Sequence, residues 1–253
     1  MKKIRVIGRI DVKNESVIKG IQLEGLRKVG LPNELAVKYY NDGIDELIFM
    51  DAVAAYYDRN SLFHIIKDAC ADIFVPITVG GGIRNLFDIQ NALNSGADKV
   101  AINTAAIRNP DFINQAARTF GSQCIVVSID AKRTRKINTW EAYTDNGREP
   151  SGLDVISWVE KAEQLGAGEV FLTSIDRDGT KKGFDIELNQ FVSNATSIPI
   201  TVSGGAGSLP HISDLLENTC VDGICLASIL HYNIECLVDI KKLVKNAGFE
   251  VRV

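Results

Sequence analysis

The chain has 253 residues, 45% of them hydrophobic and 24% charged, which is enough apolar content for one large α/β barrel or two smaller domains and excludes disorder. Lys+Arg 28 against Asp+Glu 32 gives a net charge of −4 with the basic residues scattered, so neither a nucleic-acid footprint nor a membrane-binding stripe is present. The five cysteines (Cys70, Cys124, Cys220, Cys225, Cys236) form no CxxC pair and there are three histidines, so the expectation is buried reduced thiols, with no zinc site, disulfide framework or cofactor. The apolar run after Met1-Lys2-Lys3 is too short for a signal segment and no stretch reaches membrane-span length, which predicts a cytoplasmic chain.

Eight strand-length apolar runs follow in order: Arg5–Ile10, Glu46–Met50, Ile77–Val79, Lys99–Ile102, Cys124–Ile129, Val170–Thr173, Ile200–Val202 and Gly223–Ala227. Helical spacing of apolar residues fills the intervals, over Asn33–Asn41, Ser61–Ala71, Leu86–Ser95, Pro110–Phe120, Leu153–Leu165, Asp185–Ser193 and Asn233–Ala247. Asn109-Pro110 predicts a capped helix start, Gly43, Gly96 and Gly166 predict helix stops, and Asn14–Leu31 reads as a long loop. Regular alternation of this kind requires parallel strands with crossover helices, and no GxGxxG turn follows Ile10, so the fold class is α/β: a single (β/α)8 TIM barrel over residues 1–253.

The two halves repeat each other. Pro76-Ile77-Thr78-Val79-Gly80-Gly81-Gly82 returns as Pro199-Ile200-Thr201-Val202-Ser203-Gly204-Gly205, Asp11-Val12-Lys13 as Asp130-Ala131-Lys132, and Asp51 as Asp176. Such a repeat points to a duplicated half-barrel, whose open edges require both halves in one domain.

In a barrel of this type the chemistry sits at the C-terminal ends of the strands. The glycine loops at Gly81, Gly82, Gly204 and Gly205 let backbone N–H groups approach an anion; one such loop alone would equally be a tight βα turn. Their duplication, with Asn103, Thr104 and Ser228 on adjacent strand ends, favours two phosphates at opposite ends of one substrate. Asp11 and Asp130 end the first and fifth strands, which face each other, as a general acid and general base would. A lone aspartate there would more often be a cap or a salt-bridge partner, and their symmetry argues against that. Lys19 either neutralises substrate charge or is simply solvated, and His64, His211 and His231 fall in or beside helical segments with no catalytic role expected.

Ile18-Lys19-Gly20, Thr78-Val79-Gly80-Gly81-Gly82-Ile83, Gly96-Ala97-Asp98-Lys99-Val100, Ile102-Asn103-Thr104-Ala105-Ala106, Phe120-Gly121-Ser122-Gln123, Ile129-Asp130-Ala131-Lys132-Arg133, Thr173-Ser174-Ile175-Asp176-Arg177-Asp178-Gly179-Thr180 and Ser203-Gly204-Gly205-Ala206-Gly207 stand in this order along the chain. With them, and over essentially its full length, the chain resembles the cyclase subunits of imidazole glycerol phosphate synthase. The resemblance implies an ammonia-dependent lyase/cyclase of histidine biosynthesis, converting a bis-phosphorylated ribulosyl aminoimidazole carboxamide nucleotide to imidazole glycerol phosphate and aminoimidazole carboxamide ribotide. It implies Asp11 and Asp130 as the acid/base pair, and substrate contacts that include Asp178 and Gly179. It also implies a heterodimer with a glutaminase subunit on the N-terminal barrel face, an ammonia gate at Arg5, Glu46, Lys99 and Glu169, and Asp98 in the docking face. Two departures stand out: Ile7-Gly8-Arg9-Ile10 where the family reads Ile-Pro-Cys-Leu, and Ala52-Val53-Ala54-Ala55 where it carries hydroxyls. They keep open an alternative, an ammonia-conducting subunit serving a sugar amidotransferase in surface-polysaccharide biosynthesis. For Arg9 two orientations stand: into the barrel one layer below Asp11, by strand alternation, or outward through a bulge after Gly8.

Overall fold

The structure is a computed structural model that describes residues 2–52 and 62–252. The chain starts with β1 (Arg5–Lys13), turns through a hairpin of β2 (Ser16–Ile21) and β3 (Glu24–Gly30), and returns by α1 (Pro32–Asn41) to β4 (Glu46–Asp51). Then come α2 (Phe63–Asp72), β5 (Ile77–Gly80), α3 (Leu86–Asn94), β6 (Lys99–Ile102), the short α4 (Thr104–Arg108) and α5 (Asp111–Phe120). The second half repeats the order with β7 (Ile125–Arg133), the hairpin β8 (Trp140–Thr144) and β9 (Glu149–Asp154), α6 (Val155–Gln164), β10 (Glu169–Ser174) and α7 (Ile186–Ala195). It ends with β11 (Ile200–Ser203), α8 (Leu209–Asn218), β12 (Gly223–Leu226), the short α9 (Ser228–His231) and α10 (Leu237–Asn246).

Strands β1, β4, β5, β6, β7, β10, β11 and β12 pair in parallel, each with the next, and β12 closes on β1. The eight expected strands and the barrel are therefore present. Two expectations need correction. Asn14–Leu31 is a hairpin rather than a loop, antiparallel to β1 through Val12 and Val17. Asn109 does not cap α5: Pro110 is already helical, no side chain caps the first turn, and Asn109 instead ends α4. The proposed start of α2 at Ser61 and the residues Val53-Ala54-Ala55 lie outside the described residues. Gly43, Gly96 and Gly166 do end helices, at φ of 90°, 105° and 99°.

Strand alternation sorts the apolar residues into two cores. Val6, Ile10 and Val12 of β1 belong to the large cluster between barrel and helices, whereas Ile7 belongs to a small lumenal cluster with Ile48, Ala101, Val126, Phe171 and Cys225. Of the five cysteines only Cys225 is buried, so the expectation of buried thiols holds for that residue alone.

The duplication extends to backbone conformation. Gly81 and Gly82 (φ 86° and 73°) match Gly204 and Gly205 (φ 102° and 106°), and the residues that open the short helices, Asn103 and Ala227, share an unusual pair of angles near φ −124°, ψ −85°. A Cβ on Gly81 would stand 2.3 Å from the Asp51 carbonyl oxygen, and one on Gly205 2.0 Å from that of Gly183, so both loops require glycine.

At the opposite, N-terminal face a second repeat appears. Asp45, Asp98 and Asp222 each precede a barrel strand and accept the N–H of a neighbouring strand: Val6 at 2.7 Å, Ile77 at 2.8 Å and Ile200 at 2.9 Å. Asp45 is buried and also receives the Lys241 ammonium of α10 at 2.6 Å, joining the last helix to the first strands. Removing that carboxylate leaves a buried cation with only the Arg252 carbonyl, at 2.7 Å, and no counter-ion among the described residues, and leaves the Val6 amide without its acceptor. Asp45→Ala should therefore lower the unfolding free energy by about 3–5 kcal/mol in urea titration, and adding Lys241→Met should restore part of it. A loss below about 1 kcal/mol would contradict this account.

Candidate active site at the C-terminal face of the barrel

The register between β1 and β4 runs unbroken from Ile7↔Glu46 through Gly8↔Leu47 and Arg9↔Ile48 to Val12↔Asp51. There is no bulge after Gly8, which faces Tyr39 and Leu47 on the helix side. Arg5, Ile7, Arg9 and Asp11 consequently all point into the lumen. Arg9 is 1% exposed: its Nε donates to Asp11 Oδ1 at 2.8 Å, its Nη1 to Thr173 Oγ1 of β10 at 2.9 Å, and its guanidinium carbon lies 5.4 Å from the centre of the Phe171 ring. Of the two orientations, the inward one is correct.

Asp11 and Asp130 are both buried, on β1 and the opposite strand β7, in unlike surroundings. Burial alone would raise the Asp11 carboxyl, but the charges of Arg9 and of Lys19, whose Nζ is 3.8 Å from Oδ2, outweigh it and hold Asp11 below the usual carboxylate range. Among the described residues Asp130 accepts only the Asn103 amide, at 3.1 Å. Burial pushes it up to about 6; the attraction of Arg9 opposes this, and the negative charges of Asp178 and Asp11 add to it. One fold thus supplies an ionised and a protonatable carboxyl at the same mouth, the division acid–base chemistry requires.

Lys19 is not solvated. Carried on β2, it is buried and donates to both oxygens of Asp178, at 2.8 and 2.7 Å, so the first hairpin is tied to the loop after β10. Asp176 ties the loop after β10 to the end of β7, accepting the Arg133 N–H at 2.8 Å.

Two cavities flank the carboxylates. The first, about 340 Å3, is lined by Gly81, Gly82, Asn103, Thr104 and Asp130, with Arg84, Arg108 and Arg148 at its wall. The second, about 680 Å3, is lined by Lys19, Gly179 and Ser228, with Arg27, Lys28 and Lys181. One reading changes here. Gly204 and Gly205 do not line the second cavity; they are buried, and Gly205 accepts the Gly183 N–H at 2.8 Å. The helices that begin at the cavities are the short α4 and α9, not α3 and α8, whose caps Asn85 and Ser208 lie several residues beyond the glycines. The basic side chains escaped the sequence reading because they come from five separate loops and elements. Their only linear signals were the Arg27-Lys28 and Lys181-Lys182 pairs.

At the far end of the lumen, Arg5, Glu46, Lys99 and Glu169, the first residues of their strands, close into a ring. Arg5 reaches Glu46 at 3.1 Å and Glu169 at 3.0 Å; Lys99 reaches the same two at 2.9 and 2.8 Å. Asp98 beside it is exposed, but one of its oxygens is committed to the Ile77 N–H.

A raised Asp130 has a thermodynamic signature. The native state favours the protonated form, so this group's contribution to stability is full below the unfolded value near 4 and is lost as pH rises through about 6. Asp130→Asn, which cannot ionise, should raise the unfolding free energy by about 2 kcal/mol at pH 8 and change it little at pH 4. Equal effects at the two pH values would contradict the raised carboxyl.

Comparison with known proteins agrees with this geometry. The family described as "Histidine biosynthesis protein" matches residues 5–235. Among curated relatives, subunits HisF of imidazole glycerol phosphate synthase are 56% identical over 209 residues in Legionella pneumophila (83% of this chain, 98% of that protein), and 45% and 44% identical over 249 residues in Dehalococcoides mccartyi and Bacillus cereus (98% of both chains in each case). With a closed parallel barrel, paired aspartates at its C-terminal mouth and matches of this extent, the chain belongs to the histidine biosynthesis protein family.

Proposed function

We propose that the chain is the ammonia-using cyclase subunit of an imidazole glycerol phosphate synthase. The observation that carries this reading is the pair of buried carboxylates, one ionised and one protonatable, between two cavities walled by cationic side chains. A substrate with a phosphate at each end would place its reacting centre between Asp11 and Asp130. Ammonia condenses with the substrate ketone there with loss of water, cleavage releases the carboxamide ribotide, and ring closure gives imidazole glycerol phosphate. Each of these steps moves protons that a positioned carboxyl can carry, worth roughly 10²–10⁴ in rate per group.

Ammonia reaches such a site either from solution or from a glutaminase partner docked on the N-terminal face, where the Arg5–Glu46–Lys99–Glu169 ring would act as a gate and Asp98 as a contact. A cytoplasmic location suits this chemistry, and no helix among the described residues is long and apolar enough to cross a membrane. The ammonia-conducting alternative is not favoured: relatives matching 98% of the chain are synthase subunits, and a purely conducting subunit has no need of two poised carboxylates.

Asp11→Asn and Asp130→Asn should each abolish ammonia-dependent turnover of the bis-phosphorylated nucleotide, assayed with ammonium salt, while leaving its binding nearly intact. Full turnover in either variant would remove that residue from the chemistry. Crystals soaked in sulfate should hold one anion near Gly82, Asn103 and Thr104 and another near Gly179 and Ser228, and Arg148→Ala should weaken the first alone. The absence of an anion from both cavities would count against a bis-phosphate substrate.

A further inference from the structure

Arg9 stands where the mechanism just given assigns no role, yet it is among the most deeply buried charges of the barrel and touches one of the two carboxylates. A guanidinium remains charged at any working pH, and this one is fixed at three points: Asp11, Thr173 and the Phe171 ring. Asp130, directly opposite β1, has no ion-pair partner among the described residues and only an amide donor. We propose that Arg9 is a positioning residue that divides the labour of the two carboxylates: its Nε–H holds Asp11 as the proton acceptor and leaves Asp130 as the proton donor. This division rests on reading both aspartates as the proton-transfer pair.

The groups facing Asp11 bear this out. Among the described residues Lys19 of β2 is the other nearby cation, but Asp178 of the β10–α7 loop takes it at 2.7 Å against 3.8 Å to Asp11. His231 of α9 is held neutral, its value lowered by burial to about 4, and Cys225 of β12 is kept a thiol, pushed by burial up to about 12. Among the described residues Arg9 is therefore the cation with a direct claim on Asp11. Asp130 meets the negative charges of Asp178 and Asp11, and the more distant Arg9 does not offset its burial. In a catalytic cycle the Asp11 carboxylate takes up one proton and the Asp130 carboxyl gives one up, so the pair is restored when a proton returns from the first to the second.

Carbon-13 NMR of aspartate-labelled protein, with resonances assigned through Asp11→Asn and Asp130→Asn, tests this on the free protein. Asp11 should titrate below Asp130 in the unaltered chain, a comparison that needs no Arg9 variant to fold. Arg9→Met should raise Asp11 by at least about one pH unit and move the acidic limb of the ammonia-dependent pH–rate profile upward with it, whereas Arg9→Lys should keep Asp11 low. The reverse titration order, an Asp11 unmoved by Arg9→Met, or equal shifts in the Met and Lys variants would overturn the proposal and leave Arg9 a packing residue. The expected titrations in a protein inert towards the bis-phosphorylated nucleotide would uphold the tuning by Arg9 and refute the cyclase reading instead.

Discussion

A charge carried into the lumen of a closed eight-stranded barrel has little water to solvate it, and must find its partner within the barrel or pay several kcal/mol of desolvation. Because alternate residues of β1 face inward, Arg5, Arg9 and Asp11 are committed to the lumen together. The rest of the site follows from satisfying them. Arg5 is met by Glu46 and Glu169, Arg9 by Asp11 and Thr173, and Lys19, which leans over the mouth from β2, by Asp178. Asp130 is left with an amide and two like-charged neighbours, and its raised carboxyl is the residue of this pairing rather than a separate device.

The two halves solve the same geometric problem with the same backbone. Each has a hairpin after its first strand, a left-handed glycine pair after its third and a one-turn helix after its fourth. What differs is the side chains hung on that frame. The first hairpin brings Lys19 to Asp178, whereas the second brings the Tyr143 carbonyl to the Asn103 amide and the Asp145 N–H to the Thr104 hydroxyl. Each hairpin thus reaches into the other half's loops, and the mouth is assembled from both.

Continuous apolar runs of strand length made the eight strands legible, because a barrel buries both faces of every strand. The hairpins were hidden for different reasons. The turn at Gln22-Leu23 places two non-glycine residues at φ 53° and 63°, with no Asn-Gly or Asp-Gly to announce it; it is held by the Gln22 N–H on the Asp178 carbonyl, a long-range contact. The turn at Asp145-Asn146-Gly147 did carry that signal, between the short runs of β8 and β9, and could have been read. At the site, Asp11 and Asp130 were legible from strand-end position and repetition. The burial of Lys19 was not, since its partner is 159 residues away. The bracing role of Asp98 was readable in principle, because Asp45, Asp98 and Asp222 recur immediately before a strand, but a carboxylate at a strand start looks the same whether it serves its own backbone or a neighbour.

The lumenal pairs also bear on how a duplicated barrel stays a barrel of two unlike halves. The first half brings the cations Arg5, Arg9, Lys19 and Lys99 with the carboxylates Asp11 and Glu46; the second brings Asp130, Glu169 and Asp178. Two first halves closed on each other would face excess positive charge in a largely dehydrated space, and two second halves the opposite. One of each balances once Asp130 carries its proton. Self-pairing, open to identical half-barrels, is thereby penalised in this sequence, and the charges that shape the active site also make its two halves obligate partners.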